Sequence, residues 1–290
     1  MTYVPSSTAA VEVLRKDLGS RIFYLVDIGL TPKLVKTLNM KAKTRQSVVV
    51  IDHHQQTEHY LSELEPHARV VVDQQGSAAS VAHRHWGGLP AFDHLSAIAD
   101  KVEYCASPSL ARAIELYGEQ RIGDEATLLD FAWRLQIDDD RFRLSAARRL
   151  AQGFWPSEID EVKRRYLQVV NEHRWDKAID RVRSKVVCDN GIAVLSFGRR
   201  KPSLLGFGSR ALTSVAAQQG CRIAVLINRR REMSSIALRG IGEPPVNLGR
   251  FAEEFTLEHG VVGGGHPASA GAKIHTRDVP LFMEMLAEAV

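Results

Sequence analysis

The sequence predicts an α/β protein in which two α/β domains are joined by a helical connector. Apolar runs that end in an acidic residue alternate with helical patterns in the first part of the chain. The central part has helical periodicity alone, and strand patterns return after about residue 183. The chain has 290 residues, 44% hydrophobic and 25% charged, which is enough for two domains with separate cores.

The first domain begins with a predicted strand, helix and strand. Residues 21–27 form an apolar run that ends at Asp27, and residues 48–51 form another that is followed by Asp52. The helix between them starts at Pro32, because proline is favoured in the first turn. Strands joined by such a helix are parallel. We therefore expect both acids at the same edge of one sheet.

The following segments continue this pattern. Residues 68–73 predict a third strand, residues 76–87 a helix, and residues 92–105 an apolar helix or helix–strand element that contains Asp100. A carboxylate in apolar surroundings is either satisfied by local hydrogen-bond donors or bound to a metal. Residues 118–182 predict helices only.

The last third of the chain predicts the second domain and is basic. Residues 183–290 contain 14 Lys and Arg against 9 Asp and Glu, a net charge of +5, while the whole chain has +4. Basic clusters at 199–201 and 229–231 suit phosphate backbones, or form a solvated basic face. The predicted strands are residues 185–189, 192–197, 222–228 and 234–239, with a helix at 203–220.

Two motifs indicate function. Asp52, His53 and His54 follow a buried strand at the edge where α/β sheets bind ligands, and imidazole with carboxylate suits a divalent metal. The alternative for this triplet is a solvated turn. Near the other end of the chain, three glycines precede His266. We expect them to form a turn whose main-chain N–H groups can approach an anion.

Together, Asp52-His53-His54 and the later segment Gly263-Gly264-Gly265-His266, with Ala270-Gly271, resemble the DHH phosphoesterase superfamily with its DHH-associated C-terminal domain. Its members include RecJ-like single-strand exonucleases, oligoribonucleases and cyclic-dinucleotide phosphodiesterases. The resemblance implies a parallel-sheet DHH domain at 1–117, a helical linker at 118–182 and a smaller α/β substrate-binding domain at 183–290, with a cleft between the two domains.

The resemblance also implies roles for residues of the first domain. Asp27 would bridge two metal ions, and His53 and Asp100 would be further metal ligands. Asp52 and His54 would orient His53 and reach toward the phosphate in catalysis. Two Mn²⁺ or Mg²⁺ ions are the implied cofactors, consistent with mainly oxygen ligands.

In the second domain, the resemblance implies that Arg239 grips a phosphate or terminal nucleotide. Gly263, Gly264, Gly265 and His266 would bind the end of the substrate. Single-stranded DNA or RNA oligonucleotides and nucleotide phosphates are therefore the implied binding partners.

The family's first motif, a His-x-Asp-x-Asp-like segment, has no counterpart before Asp27. We therefore expect an N-terminally incomplete DHH domain in which a second ion is weakly held or absent. Three functions stay open. The chain is a metal-dependent phosphodiesterase or exonuclease for single-stranded or short oligonucleotides, a cyclic-dinucleotide or nucleotide phosphodiesterase, or an inactive nucleic-acid-binding or scaffold protein with partners in replication or repair.

The sequence predicts a cytoplasmic protein without membrane partners. No apolar run approaches the roughly 18 residues of a membrane span, and the first residues have no apolar segment typical of a secretory signal. The 3 cysteines have unrelated spacings, which argues against a disulfide framework or a zinc site built from cysteines alone.

Overall fold

The computed structural model describes residues 2, 4, 6–17, 19–44, 46–64, 68–136, 138–198, 204 and 206–290. The basic cluster predicted at 199–201 lies outside these residues. The α/β class is confirmed, with one parallel and one mixed sheet. Two compact units are present, Met1–Trp133 with Asp138–Leu167, and Arg134–Ile137 with Gln168–Val290. None of the helices in the described part of the chain is long and apolar enough to cross a membrane.

The first unit contains a three-stranded parallel sheet with the order β1-β2-β3. The strands are β1 (Ile22–Val26), β2 (Ser47–Asp52) and β3 (Arg69–Val72). The helices are α1 (Ser7–Lys16), α2 (Pro32–Lys43), α3 (Gln55–Glu58), α4 (Leu61–Leu64), α5 (Ala78–His85), α6 (Asp93–Glu103), α7 (Pro108–Tyr117), α8 (Glu119–Arg134), α9 (Asp140–Leu150) and α10 (Asp160–Asn171), of which α8 and α10 extend into the second unit.

The register of β1 and β2 determines where their acidic ends lie. Val26 is opposite Ile51, and the amide of Asp27 donates to the carbonyl oxygen of Ile51 at 3.0 Å. Asp27 and Asp52 therefore share one edge, as the sequence predicted. The sheet is held by an apolar core that includes the fully buried Leu34 of α2.

The second unit contains a six-stranded mixed sheet with the order β4-β5-β6-β7-β9-β8. Its strands are β4 (Val187–Asp189), β5 (Ile192–Phe197), β6 (Ile223–Asn228), β7 (Met233–Gly240), β8 (Val262–His266) and β9 (Ser269–His275). Its helices are α11 (Arg174–Arg183), α12 (Gly208–Gln218), α13 (Leu248–Glu258) and α14 (Val279–Ala289). The side chains of α13 and α14 form one apolar core with inward-facing residues of the sheet.

The three consecutive glycines lie in a strand, so the prediction of a glycine-rich turn is wrong. They belong to β8, which pairs antiparallel with β9 and is the last strand of the sheet. Close packing with α13 explains Gly263 of the strand and Gly249 of the helix. A methyl group added at Gly263 would lie 2.7 Å from Thr256 Cγ2, and one added at Gly249 in α13 would lie 2.5 Å from the Gly265 carbonyl oxygen. The helix therefore rests directly on the backbone of the strand.

This packing predicts different effects for two Gly→Ala changes in neighbouring strands. Gly263→Ala forces a methyl group against α13 and should lower the free energy of unfolding by about 1–3 kcal/mol, as overpacking does. Gly271→Ala is the control, because its methyl group would lie 3.7 Å from its nearest neighbour, an ordinary contact. Chemical denaturation of both variants measures the difference. Equal stability of the two would contradict close packing of α13 on β8.

Candidate metal centre

His53 is a buried histidine whose ring orientation is fixed by the backbone. It follows β2, is 3% exposed, and its Nδ1 lies 3.0 Å from the carbonyl oxygen of Gly76. A carbonyl oxygen can only accept, so Nδ1 carries the hydrogen. In the neutral ring, Nε2 is then left with its lone pair, which is how metal-binding histidines are commonly oriented.

Two carboxylates meet this Nε2 atom. Asp27 Oδ1 lies 3.2 Å from it and Glu103 Oε2 lies 3.3 Å from it. The three residues come from the end of β1, the end of β2 and the last turn of α6. The expected proximity of Asp27 and His53 is thus found. Three groups that accept hydrogen bonds can share one point only if a proton or a metal cation lies between them.

The pKa values reflect this arrangement. Burial by itself lowers the pKa of His53, but hydrogen bonds with Asp27 and Cys105 and the charges of Glu103 and Asp27 outweigh it and raise that pKa to about 11. Burial, with the nearby charge of Asp27, raises the pKa of Glu103 to about 7. Without a metal, the positively charged imidazolium holds the two acids together.

Asp52 orients His54. The Asp52 side chain is fully buried, and its Oδ1 lies 2.7 Å from His54 Nδ1. The hydroxyl of Thr57 donates to the other carboxylate oxygen. Of the two histidines, His54 is therefore the one positioned by Asp52, whereas His53 is positioned by the carbonyl of Gly76.

Asp100 lies behind the cluster and is saturated with hydrogen bonds. Its carboxylate accepts from the amide and hydroxyl of Ser77 at 2.7 Å, from the hydroxyl of Ser80 at 2.6 Å, and from the hydroxyl of Ser107. It is fully buried. These contacts fix the Gly76–Ser77 turn that orients His53. Of the two alternatives for Asp100, these contacts favour a carboxylate satisfied by local hydrogen-bond donors. They give no support to its predicted role as a metal ligand.

Glu103 and Cys105 were not identified from the sequence, although one signal was present. Glu103 follows Asp100 by three residues in a predicted helix, so the two share a face. The spacing of Cys105 from the other cysteines does not indicate a metal ligand. Tyr104 between them has a left-handed conformation, with φ 57° and ψ 32°, and ends α6. Bulky residues rarely adopt this conformation, so no sequence pattern predicts it.

The donor chemistry of these residues fits a divalent metal. The ligand atoms of His53, Glu103 and Cys105 lie within 4.8 Å of one another, and so do those of Asp27, Asp52 and His54. Imidazole, carboxylate and thiol are all common ligands of divalent transition metals. In the second group, Asp52 and His54 are already hydrogen-bonded to each other. A cation there would have to disrupt that bond.

The predicted substrate-binding residues lie on the second sheet. Arg239 of β7 and His266 of β8 are both opposite Ser269 of β9. Residues directly opposite in antiparallel strands have their side chains on the same face. Arg239 and His266 thus flank β9 on one face, about 10 Å apart, or two strand spacings.

Small residues lie next to Arg239 and His266 on this face. Gly264 and Ala237 are both opposite Gly271 in the next row of the same face. Gly271 is exposed and has only the Ile236 carbonyl oxygen near its missing methyl position. Packing against α13 explains Gly263, and close approach to Ser269 and Ala270 of β9 explains Gly265, so neither accounts for the small residues in this row. The result is a patch of nearly bare backbone beside an arginine and a histidine.

No family model matches the sequence, and no curated protein is significantly similar to it. Solved structures are similar in fold. A DHH-domain protein described as a member of a family of ribosomal proteins has 17% identity and a TM-score of 0.60, covering 91% of this chain and 68% of its own. RecJ from Thermus thermophilus in complex with Mn²⁺ has 15% identity and a TM-score of 0.57, covering 99% of this chain and 46% of its own.

An exopolyphosphatase-related protein from Bacteroides fragilis has 14% identity and a TM-score of 0.50, covering 96% of this chain and 73% of its own. At these identities, the similarities establish the fold. The chain has the fold of DHH-domain proteins, which confirms the fold predicted from the DHH triplet and the glycine motif. It spans less than half the length of RecJ.

The contacts of Asp100 predict that it is essential for stability without any metal. In Asp100→Ala, buried serine hydroxyls and the Ser77 amide lose their hydrogen-bond acceptor. Each unsatisfied group should lower the free energy of unfolding by about 1–3 kcal/mol. Thermal unfolding in the presence of a chelator should therefore show a large decrease in Tm. Asp180→Ala is the control, because the Asp180 side chain is 74% exposed and its ion pair with Arg183 is a surface pair.

An Asp100→Ala protein that unfolds like the wild type under chelation but binds metal less tightly would instead identify Asp100 as a ligand.

Proposed function

We propose that this chain, whose fold is that of the DHH superfamily, is a metal-dependent phosphodiesterase that hydrolyses short single-stranded oligonucleotides. The observation that carries the proposal is the meeting of His53 Nε2 with the carboxylates of Asp27 and Glu103 at the carboxyl edge of a parallel sheet. Ligands of open α/β sheets bind outside this edge. Acids and imidazole that converge there suit a cation that acts on a phosphate.

In this proposal, His53, Asp27 and Glu103 hold one divalent cation, and Mn²⁺ or Mg²⁺ is the ion that the family resemblance implies. The cation would activate a water molecule and neutralise charge on the phosphate oxygens. Glu103 and Asp27 are each at least one third exposed, so a substrate can approach from their side. His53 is buried and supplies the fixed point of the site.

His54 is suited to proton transfer or to hydrogen bonding with the phosphate. Its Nδ1 is held by the buried carboxylate of Asp52 at 2.7 Å, and one quarter of its side chain is exposed. A buried carboxylate that accepts from one imidazole nitrogen directs the other nitrogen, as in acid–base catalysis. Asp52 is therefore a positioning residue for His54 in this mechanism.

The second unit would bind the phosphates and bases of the substrate. Arg239 and His266 provide charge and hydrogen bonding, and the patch at Gly264 and Gly271 lets a ligand approach the backbone. The net charge of +5 over residues 183–290 favours polyanions. A strand of several nucleotides presents more phosphates to this charge than the two of a cyclic dinucleotide, which is why we favour short single-stranded oligonucleotides.

We expect slow hydrolysis, because one ion provides only part of two-metal catalysis. The Asp27, Asp52 and His54 group offers a second position, but its Asp52–His54 hydrogen bond competes with a cation. Binding without hydrolysis is accordingly the second candidate function. The assay below distinguishes the two, since a binding protein gives no metal-dependent product.

The catalytic prediction is tested with a labelled oligonucleotide of a few nucleotides. The wild type should release mononucleotides slowly when Mn²⁺, or in a separate assay Zn²⁺, is supplied, and not under chelation. His53→Asn should remove this activity because it removes the buried ligand. His173→Asn is the matched control, because His173 is exposed and is far from His53 in the sequence. Metal-dependent turnover that survives His53→Asn would refute the proposed site.

The binding prediction is tested under chelation by fluorescence anisotropy with the same oligonucleotide. Affinity should decrease with salt, and Arg239→Ala should reduce the slope of log K against log salt by about 0.7, the value for one phosphate of a single strand. Gly271→Leu should weaken binding by filling the bare patch. Arg250→Ala is the control, because it removes the same charge from an exposed arginine that is paired with Glu254. Equal binding by Arg239→Ala and Arg250→Ala would exclude Arg239 from the site.

A further inference from the structure

Cys105 brings a thiol to the candidate metal centre. The ligand atoms of Cys105, Glu103 and His53 all lie within 4.8 Å of one another. Cys105 is partly exposed, whereas Cys221 is buried in the second unit and Cys188 is exposed there. Cys105 is thus the cysteine that adjoins the imidazole and the acids.

The end of α6 is built so that Glu103 and Cys105 face the same point. The left-handed Tyr104 reverses the chain after Glu103, and the amide of Cys105 donates to the Asp100 carbonyl oxygen at 2.9 Å. This bond holds Cys105 against the last turn. The carboxyl end of a helix has a partial negative charge, which stabilises a cation placed there.

His53 is the independent indication that a ligand belongs at this point. Its ring is almost completely buried, its Nδ1 is held by the Gly76 carbonyl oxygen, and its Nε2 is directed at the acids and the thiol. Acids that converge on a buried imidazole need a positive charge between them. A proton on Nε2 supplies that charge without a metal, and a metal ion coordinated by the same groups can take its place.

We infer that His53, Glu103 and Cys105 form a mixed imidazole–carboxylate–thiolate site that selects Zn²⁺ over Mn²⁺ and Mg²⁺. The inference rests on the proposed function for the location of the cation, and it changes the ion and replaces Asp27 by Cys105 among the ligands. Thiolate is a soft ligand that favours zinc, and manganese has the lowest affinity in the series of first-row divalent metals. On binding, Cys105 releases its thiol proton and His53 releases the proton on Nε2, both to solvent.

The half-exposed Asp27 lies on the open side of this site, 3.2 Å from His53 Nε2. Three protein ligands with a fourth position open to water are typical of catalytic zinc, whereas structural zinc has four protein ligands. Asp27 can accept a hydrogen bond from a water molecule in the fourth position. The site therefore remains compatible with hydrolysis.

The experiment is a titration of the full-length, metal-free chain with Co²⁺, followed by absorption spectroscopy. Co²⁺ replaces Zn²⁺ in such sites, and a bound thiolate produces a charge-transfer band in the near ultraviolet. The wild type should show this band at one Co²⁺ per chain. Zn²⁺ should remove it by displacement at equal concentration, and Mn²⁺ should not.

Cys105→Ser is the test variant and Cys188→Ser is the control. The band should disappear in Cys105→Ser and persist in Cys188→Ser. Zn²⁺ affinity of Cys105→Ser should decrease by more than the roughly 10- to 100-fold typical of changes to outer-sphere groups. Circular dichroism of each variant verifies that it is folded.

A band that persists in Cys105→Ser, no band in the wild type, or displacement by an equal concentration of Mn²⁺ would overturn the inference. Failure of the proposed function looks different. A thiolate–Co²⁺ band without any hydrolysis would support the zinc site and contradict the phosphodiesterase function. Mn²⁺-dependent hydrolysis without the band would support the phosphodiesterase function and contradict the zinc site.

Discussion

The parallel pairing of β1 with β2 is the constraint on which the candidate site depends. Val26 opposite Ile51 places Asp27 beside the end of β2, where His53 follows. A shift of one residue in this register would move every side chain of a strand to the other face of the sheet. It would also break the hydrogen bond from the Asp27 amide to the Ile51 carbonyl oxygen, so the strand pairing that stabilises the sheet also fixes the distance between the acid and the imidazole.

The layers behind His53 are arranged to keep its ring still. Serine hydroxyls hold Asp100, Asp100 holds the Gly76–Ser77 turn, and the Gly76 carbonyl oxygen holds Nδ1. Each of these groups is buried, and each is hydrogen-bonded to the next. The exposed groups, Asp27 and Glu103, have more freedom to adjust. A functional site needs its key side chains locked by packing and by supporting hydrogen bonds, and His53 meets that condition.

Much of the fold and half of the candidate site follow from patterns that are local in the sequence. The strand–helix–strand unit, and with it the edge shared by Asp27 and Asp52, follows from apolar runs and Pro32. Glu103 and Cys105 could not be placed, because their convergence depends on one left-handed residue, Tyr104, which costs about 1–2 kcal/mol and has no sequence signal. The glycine motif predicts a turn, because glycines favour turns in the absence of other information. Gly263 is instead required by the approach of α13, a contact between segments that the sequence does not reveal.

The patch of small residues on β7, β8 and β9 has a consequence for selectivity. A ligand that lies over Gly264 and Gly271 meets peptide groups, and peptide groups are identical at every position of a chain. Such a surface can distinguish a thin ligand from a thick one, and an anion from a neutral molecule. It has no side chains with which to read the edge of one base against another. Any discrimination between the bases of a nucleic acid would have to come from side chains elsewhere in the protein.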